Sequence, residues 1–341
     1  MTVLGAISPD ELGITLPHEH ILIDLRCHLK VLPEEAGFRA RVFEPLTLEN
    51  LWWVRQNILN EDNLLLTDVE ASIREVMEFK RHGGSSIVDV TNLGLGRDPI
   101  ALRNISNQTG INIIMGSGYY VGAAHPPDMS NKTVEEITDE IIKDVTVGVG
   151  NTGIKAGIIG EIGINNIEDD PNEVKSLRAG IIAQKETGAP LTIHPSLFRR
   201  ECERIIEILD EEGAEMKRVI MSHSELFVDE SLDYTFMIAD AGLYVEYDTW
   251  GIEGNWPDFG LIEPSDTQRL NGKEKLIENG YLDQILLSQD ICMKTLCMAY
   301  GGTGYAHILR DCLPLFRKAG ISEEEMVQML EENPKRILPF R

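Results

Sequence analysis

A chain of 341 residues with 43% hydrophobic and 26% charged side chains has the composition of a globular protein with a sizeable core, which excludes disorder. Its formal charge of −25 repels phosphate backbones and anionic bilayers, so nucleic acid and membrane surfaces are excluded as partners and a small-molecule substrate is favoured. Five cysteines without a Cys-x-x-Cys pair argue against a disulfide framework, and neither a secretory leader nor an apolar run of about 18 residues is present, which together point to the cytoplasm.

In chain order, the first β-rich run is 14–22 and contains Leu16-Pro17-His18-Glu19-His20. Alternate residues of a strand share a face, so His18 and His20 enter the interior together while Glu19 points away. A strand-poor piece at 24–46 follows, then Trp52 and Trp53, which read as core or subunit contact. Helical spacing over 68–82 stops at Gly83. The second run is 85–91 and the third 111–117, with Tyr119 and Tyr120 just beyond it as candidate substrate contacts. The fourth, 156–161, ends on Glu161, and a helix over 172–187 leads to the fifth, 191–194, ending on His194. The sixth, 218–223, ends on His223, and the seventh, 243–248, on Asp248. A second strand-poor piece, 249–270, carries Trp250 and Trp256 as candidate lid residues. The eighth, 284–290, ends on Asp290. Beyond it, Gly301-Gly302-Thr303-Gly304 reads either as a glycine turn or as an anion site assisted by Lys294 and Arg97, and the turn is the simpler account.

Eight strands alternating with helices predict a (β/α)8 TIM barrel, one domain over 1–341, with long loops after strands 1 and 7. An open doubly wound sheet is the rival, but the glycine fingerprint it places after its first strand is missing. Active-site residues of such barrels lie at the C-terminal strand ends. His18, His20, Glu161, His194, His223 and Asp290 are there, where a lone buried charge or imidazole is costly unless paired or metal-bound. Paired structural histidines would explain His18 and His20 alone; they do not explain six residues on five strands. Six ligands exceed a single zinc site and suit two divalent ions, with Glu161 between them. Mixed imidazole and carboxylate donors favour zinc and also accept manganese, cobalt, iron or nickel. Asp290 is the natural general base.

These residues resemble the phosphotriesterase family of the amidohydrolase superfamily, over nearly the whole chain. The motifs are Leu16-Pro17-His18-Glu19-His20, Gly157-Ile158-Ile159-Gly160-Glu161-Ile162-Gly163, His194, Ser222-His223, Asp290, Tyr300-Gly301-Gly302-Thr303-Gly304-Tyr305 and Glu332-Asn333-Pro334. The glycine-rich stretches are similar to the phosphotriesterase-related and phosphotriesterase homology branch. Organophosphate hydrolases and lactonases of the family bridge their metals with a carboxylated lysine; the position it would occupy here is Gly160, so the resemblance assigns the bridge to Glu161. Asp248 is followed by Thr249, and Leu226 stands where the acid of a proton relay would be. The resemblance therefore implies a bridging hydroxide attacking a carboxylic ester, lactone or N-acyl amide, with phosphotriester hydrolysis as the alternative. A non-catalytic metal-binding barrel and a single-metal deaminase fit less well, and a homodimer is a quaternary state open to such a chain.

Overall fold

The computed structural model describes residues 1–30, 35–228, 231–256 and 260–340. Eight parallel strands follow one another around a barrel: β1 (Thr15–Glu19), β2 (Ser86–Asp89), β3 (Asn112–Ser117), β4 (Ile158–Gly163), β5 (Leu191–His194), β6 (Val219–Met221), β7 (Tyr244–Tyr247) and β8 (Ile285–Leu287). Both faces of a parallel strand are covered, which is why these runs are almost continuously apolar. Helices pack outside them, among them α1 (Val69–Arg81), α2 (Pro99–Thr109), α3 (Val134–Thr146), α4 (Pro171–Thr187) and α5 (Asp266–Glu278).

Local chemistry sets the helix limits. Asp68, Asp98 and Asp170 accept hydrogen bonds from the first-turn N–H groups of α1, α2 and α4, and Pro99 and Pro171 occupy first positions where no N–H is needed. Gly110 and Gly188 close α2 and α4 at φ of 67° and 68°, left-handed torsions that glycine adopts without a Cβ penalty.

Inside the barrel, Val88, Val90, Ile114, Ile158, Ile220 and Leu286 form part of an apolar plug. Two residues further along β6, β7 and β8, on the same faces, lie Ser222, Glu246 and Ser288. All three are fully buried, so a polar layer separates the plug from the barrel mouth.

The backbone ladder runs from β1 to β8, and side chains stitch the seam between these two strands. Ser288 Oγ accepts from the His18 N–H at 3.2 Å, and its proton lies between the His18 carbonyl at 2.6 Å and Glu19 Oε1 at 2.7 Å. Glu19 also accepts from the N–H groups of Gln289 and Ile291, each at 2.8 Å. Glu19 thus substitutes for the ladder bonds missing between β1 and β8.

Two differences from the sequence expectation concern lengths. Strands β1, β2, β6, β7 and β8 are shorter than read, because polar residues at their ends leave the ladder to form the site, and β4, read as 156–161, instead runs over Ile158–Gly163, past Glu161. The excursion after β1 extends past residue 46 to α1. It holds helical turns at Ala36–Val42 and Leu51–Val54, and the two-residue strand Ile23–Asp24 pairs with Leu65–Leu66. Val42, Leu46, Trp53 and Val54 give it a small core of its own, while Trp52 is exposed. The excursion after β7 ends at Ser265, which caps α5.

Glu19→Gln turns one acceptor oxygen into a donor facing donors. It is expected to lower unfolding free energy by about 2–3 kcal/mol in urea titrations at unchanged far-UV dichroism. A loss below about 0.5 kcal/mol, the range of ordinary surface changes, would show that packing alone holds the seam.

Candidate metal centre and active site

His18, Glu161 and His194 lie within β1, β4 and β5, while His20, His223 and Asp290 sit just past β1, β6 and β8. His223 and Asp290 take φ of 51° and 47°, a rare conformation for residues with side chains, which redirects both from the strand line.

Glu161 reaches the interior through an irregularity. Ser117 of β3 pairs with both Ile159 and Gly160, so β4 carries one extra residue there. Ile159 and Ile162 consequently both pack towards Gly180 of α4, three positions apart instead of two. The parity change turns Glu161 inward. Gly160 has φ 114°, and a Cβ on it would sit 2.3 Å from the Thr192 carbonyl, so no side chain fits.

The structure brings all six residues together. Ligand atoms of His18, His20 and Asp290 lie within 4.8 Å of one another, as do those of Glu161, His194 and His223. His20 Nε2 is 3.3 Å from both Glu161 Oε1 and Asp290 Oδ1. His18 Nε2 is 3.7 Å from Glu161 Oε2 and 3.9 Å from Asp290 Oδ1. His194 Nδ1 is 3.0 Å from Glu161 Oε2 and 2.8 Å from His223 Nε2.

Each imidazole is anchored on its outer nitrogen. His18 Nδ1 meets Ser222 and Glu246 at 3.1 Å and Asp248 at 3.3 Å, His20 Nδ1 meets Thr91 at 2.8 Å, and His223 Nδ1 meets Asp248 at 2.8 Å. His194 is reversed, with Nε2 3.3 Å from the Tyr120 hydroxyl. Outer partners of this kind fix tautomer and ring orientation in metal sites. Sequence reasoning missed Thr91, Ser222 and Glu246 in these roles; a polar residue inside an otherwise apolar strand run was the available signal.

Apart from the imidazole contacts just given, three inward atoms, His18 Nε2, Glu161 Oε2 and Asp290 Oδ1, are buried with no hydrogen-bond partner. Buried donors and acceptors are almost always satisfied, so this donor set fits cations. The charge balance agrees. Burial alone would raise Glu161, but His194 and the other imidazoles hold it well below the carboxylate range. Burial alone would lower His20, and Asp290 and Glu161 push it up to about 10. Protons here balance negative charge that divalent ions would balance equally well.

A cavity of about 250 Å³ opens onto this cluster. Tyr120 and Trp256 line it, with Trp256 Nε1 donating to the Arg55 carbonyl at 2.9 Å. Other expected contacts lie elsewhere. Tyr119 bonds Glu140 and Lys132, beside the cavity wall rather than on it. Lys294 is tied to Asp62 at 2.6 Å, and Arg97 to Asp144 at 2.8 Å and the Gly116 carbonyl. Trp250 is no lid: it is fully buried against Phe316, with Lys273 Nζ over its ring. An indole near a strand end can pack inward as readily as outward, which sequence alone does not reveal. Gly302 abuts the Leu296 backbone, as a turn requires, and the glycine stretch does not line the cavity. Among the described residues a further grouping, Asp266, His307 and Cys312, lies away from the cavity; Asp266 and Asp311 occupy both His307 nitrogens. Cys202, Cys292, Cys297 and Cys312 are free thiols, and among the described residues no helix is long and apolar enough to cross a membrane.

A (β/α)8 barrel with a paired His/Asp/Glu cluster at its C-terminal mouth defines a metal-dependent hydrolase. The chain belongs to the phosphotriesterase family, whose model matches residues 1–338. It is 40% identical to a phosphotriesterase-related protein of Nematostella vectensis, covering 100% of this chain and 98% of the other. Identity to an N-acetyltaurine hydrolase of Xenopus tropicalis is also 40%, covering 100% and 97%. Among solved structures it is similar to a resiniferatoxin-binding protein from Rhodobacter sphaeroides, with TM-score 0.95, 35% identity, and 100% and 96% coverage.

Gly160→Ala is expected to lose the inward turn of Glu161. Metal content should fall below half of the wild-type value, with a destabilisation of about 1–3 kcal/mol; full metal loading of a folded variant would contradict this account of the strand irregularity. Asp248→Asn should weaken metal affinity by about 10–100-fold, read by competition with a chelator.

Proposed function

We propose that the protein hydrolyses carboxylic ester, lactone or N-acyl amide bonds, using two divalent cations, zinc by ligand chemistry. His18, His20 and Asp290 would hold one, His194 and His223 the other, and Glu161 would lie between them. The observation carrying this reading is the convergence of buried, unpartnered donor atoms from His18, Glu161 and Asp290 on one space. Bound there, such ions supply a water nucleophilic at neutral pH and polarise the scissile oxygen.

The remaining work falls to this chain's own groups. Asp290 faces the cavity and is 14% exposed, so its carboxylate can take the proton from attacking water and return it to the leaving group. Tyr120 presents its hydroxyl at the cluster's edge, held by His194, where it can orient the acyl oxygen. Leu25, Ile58, Leu64, Leu197 and Ile252 supply an apolar wall that seats the acyl chain and excludes water. The relatives that are N-acetyltaurine hydrolases cleave an N-acyl bond, which supports carbon over phosphorus as the centre attacked. Gly160, closed to any side chain, supports Glu161 as the bridge.

Purified protein is expected to hold about two divalent ions per chain; one or none would overturn the paired site. Asp290→Asn should lower kcat by about 10²–10⁴-fold on aryl esters, lactones or N-acyl amines. Diethyl aryl phosphates should be poor substrates, and turnover of them far above all three carbonyl classes would overturn the assignment.

A further inference from the structure

The cavity wall has a charge pattern that bears on substrate class. Among the described residues no lysine or arginine lines it. Outside the metal-site cluster its acidic group is Glu263, at the far end of the excursion after β7. The Glu263 side chain is 5% exposed. Its Oε2 takes the Arg269 guanidinium at 3.2 Å and stands 3.3 Å from the Thr249 hydroxyl, whose shorter bond, 2.8 Å, goes to Glu225 Oε1. Its Oε1 takes no hydrogen bond among the described residues, and Glu263 lines the cavity.

Arg269 does not neutralise its surroundings. It is fully buried and faces three carboxylates: Glu225 at 3.7 Å, Glu263 at 3.2 Å and Asp266 at 3.1 Å. Burial pushes Glu263 and Glu225 up to about 7 and His307 shares Asp266 at 2.7 Å, so what the wall offers is the Glu263 carboxyl as an acceptor that a positive or donor-bearing group would stabilise. An anionic substrate end would meet this wall with no cation to receive it, at a cost in desolvation. A donor-bearing end would give Glu263 Oε1 the partner it lacks, as a charge-assisted bond. The walls on either side, Ile252, Trp256 and Leu261, are apolar.

We propose that the site selects compounds with an apolar acyl body and an ammonium or other hydrogen-bond-donating end seated on Glu263, and rejects those ending in sulfonate or carboxylate. This rests on the hydrolase reading of the same cavity. It separates the chain from substrates such as N-acyl taurines, whose leaving amine carries a sulfonate.

The test uses the full-length, metal-loaded protein and three N-hexanoyl amides differing only in the amine: 1,2-diaminoethane, ethanolamine and taurine. The expected order of kcat/KM is diamine, ethanolamine, taurine, with the diamine ahead of the taurine compound by about tenfold or more, set by KM. Glu263→Gln, with its fold checked by melting, should shrink that ratio about tenfold. Equilibrium binding of hexylammonium and hexanesulfonate by calorimetry supplies a readout independent of turnover, with hexylammonium the tighter ligand. A taurine compound cleaved as well as the diamine, or hexanesulfonate binding as tightly as hexylammonium, overturns the proposal without any variant. Tight hexylammonium binding with none of the amides, esters or lactones cleaved leaves the Glu263 subsite standing and overturns the hydrolase reading instead.

Discussion

Four imidazoles and two carboxylates are stripped of water at the mouth of one barrel, and their burial is the constraint on which the surrounding structure depends. None could remain there without compensation, because isolated buried charges and unpaired polar atoms are expensive. The outward half of the compensation is built from the protein. Ser222, Glu246, Asp248 and Thr91 hold the outer nitrogens of His18, His20 and His223, and Tyr120 holds that of His194. The inward half would fall to bound cations, since His18 Nε2 lies 3.7 Å from Glu161 Oε2 and 3.9 Å from Asp290 Oδ1 on one space. Rigid outer anchoring with an unsatisfied inner face is what metal preorganisation requires.

The same constraint explains local irregularities. A regular β4 would carry Glu161 on the helix-facing side, with Ile159. The extra residue at Gly160 reverses the parity, and the absence of a Cβ there lets β4 approach the Thr192 carbonyl of β5. His223 and Asp290 use positive φ to aim side chains that the strand direction would misplace. The β1–β8 seam is pinned by Glu19 and Ser288, so the strands that carry His18 and Asp290 are fixed against each other by side chains immediately beside the site. Closure of the barrel and placement of the ligands are one problem solved by neighbouring residues.

The substrate wall around this centre is built from other segments of the chain. The excursions after β1 and β7 bring Ile58, Leu64, Ile252, Trp256 and Glu263 over the cluster. Their side chains decide size, polarity and charge without touching the hydrolytic apparatus, which is how one barrel serves several substrates.

The sequence by itself determined the barrel, because strand and helix periodicities, aspartate caps and glycine stops are local signals read from a few adjacent residues. It also determined which six residues converge, since a polar residue ending an apolar strand run announces the catalytic face. What it could not contain is any relation set by packing between distant segments. Trp250 lay beside Trp256 as a lid candidate, yet the fold buries the first on Phe316 and places the second on the cavity. Lys294 offered an anion anchor until Asp62, 232 residues away in sequence, took its ammonium. Glu263 had no motif at all. Its free oxygen has meaning only because Arg269 occupies the other one and because the β7 excursion folds back over the mouth. Local pattern fixes which face a residue takes on its own element. Only the tertiary structure decides which groups are already spent on one another and which remain for a ligand.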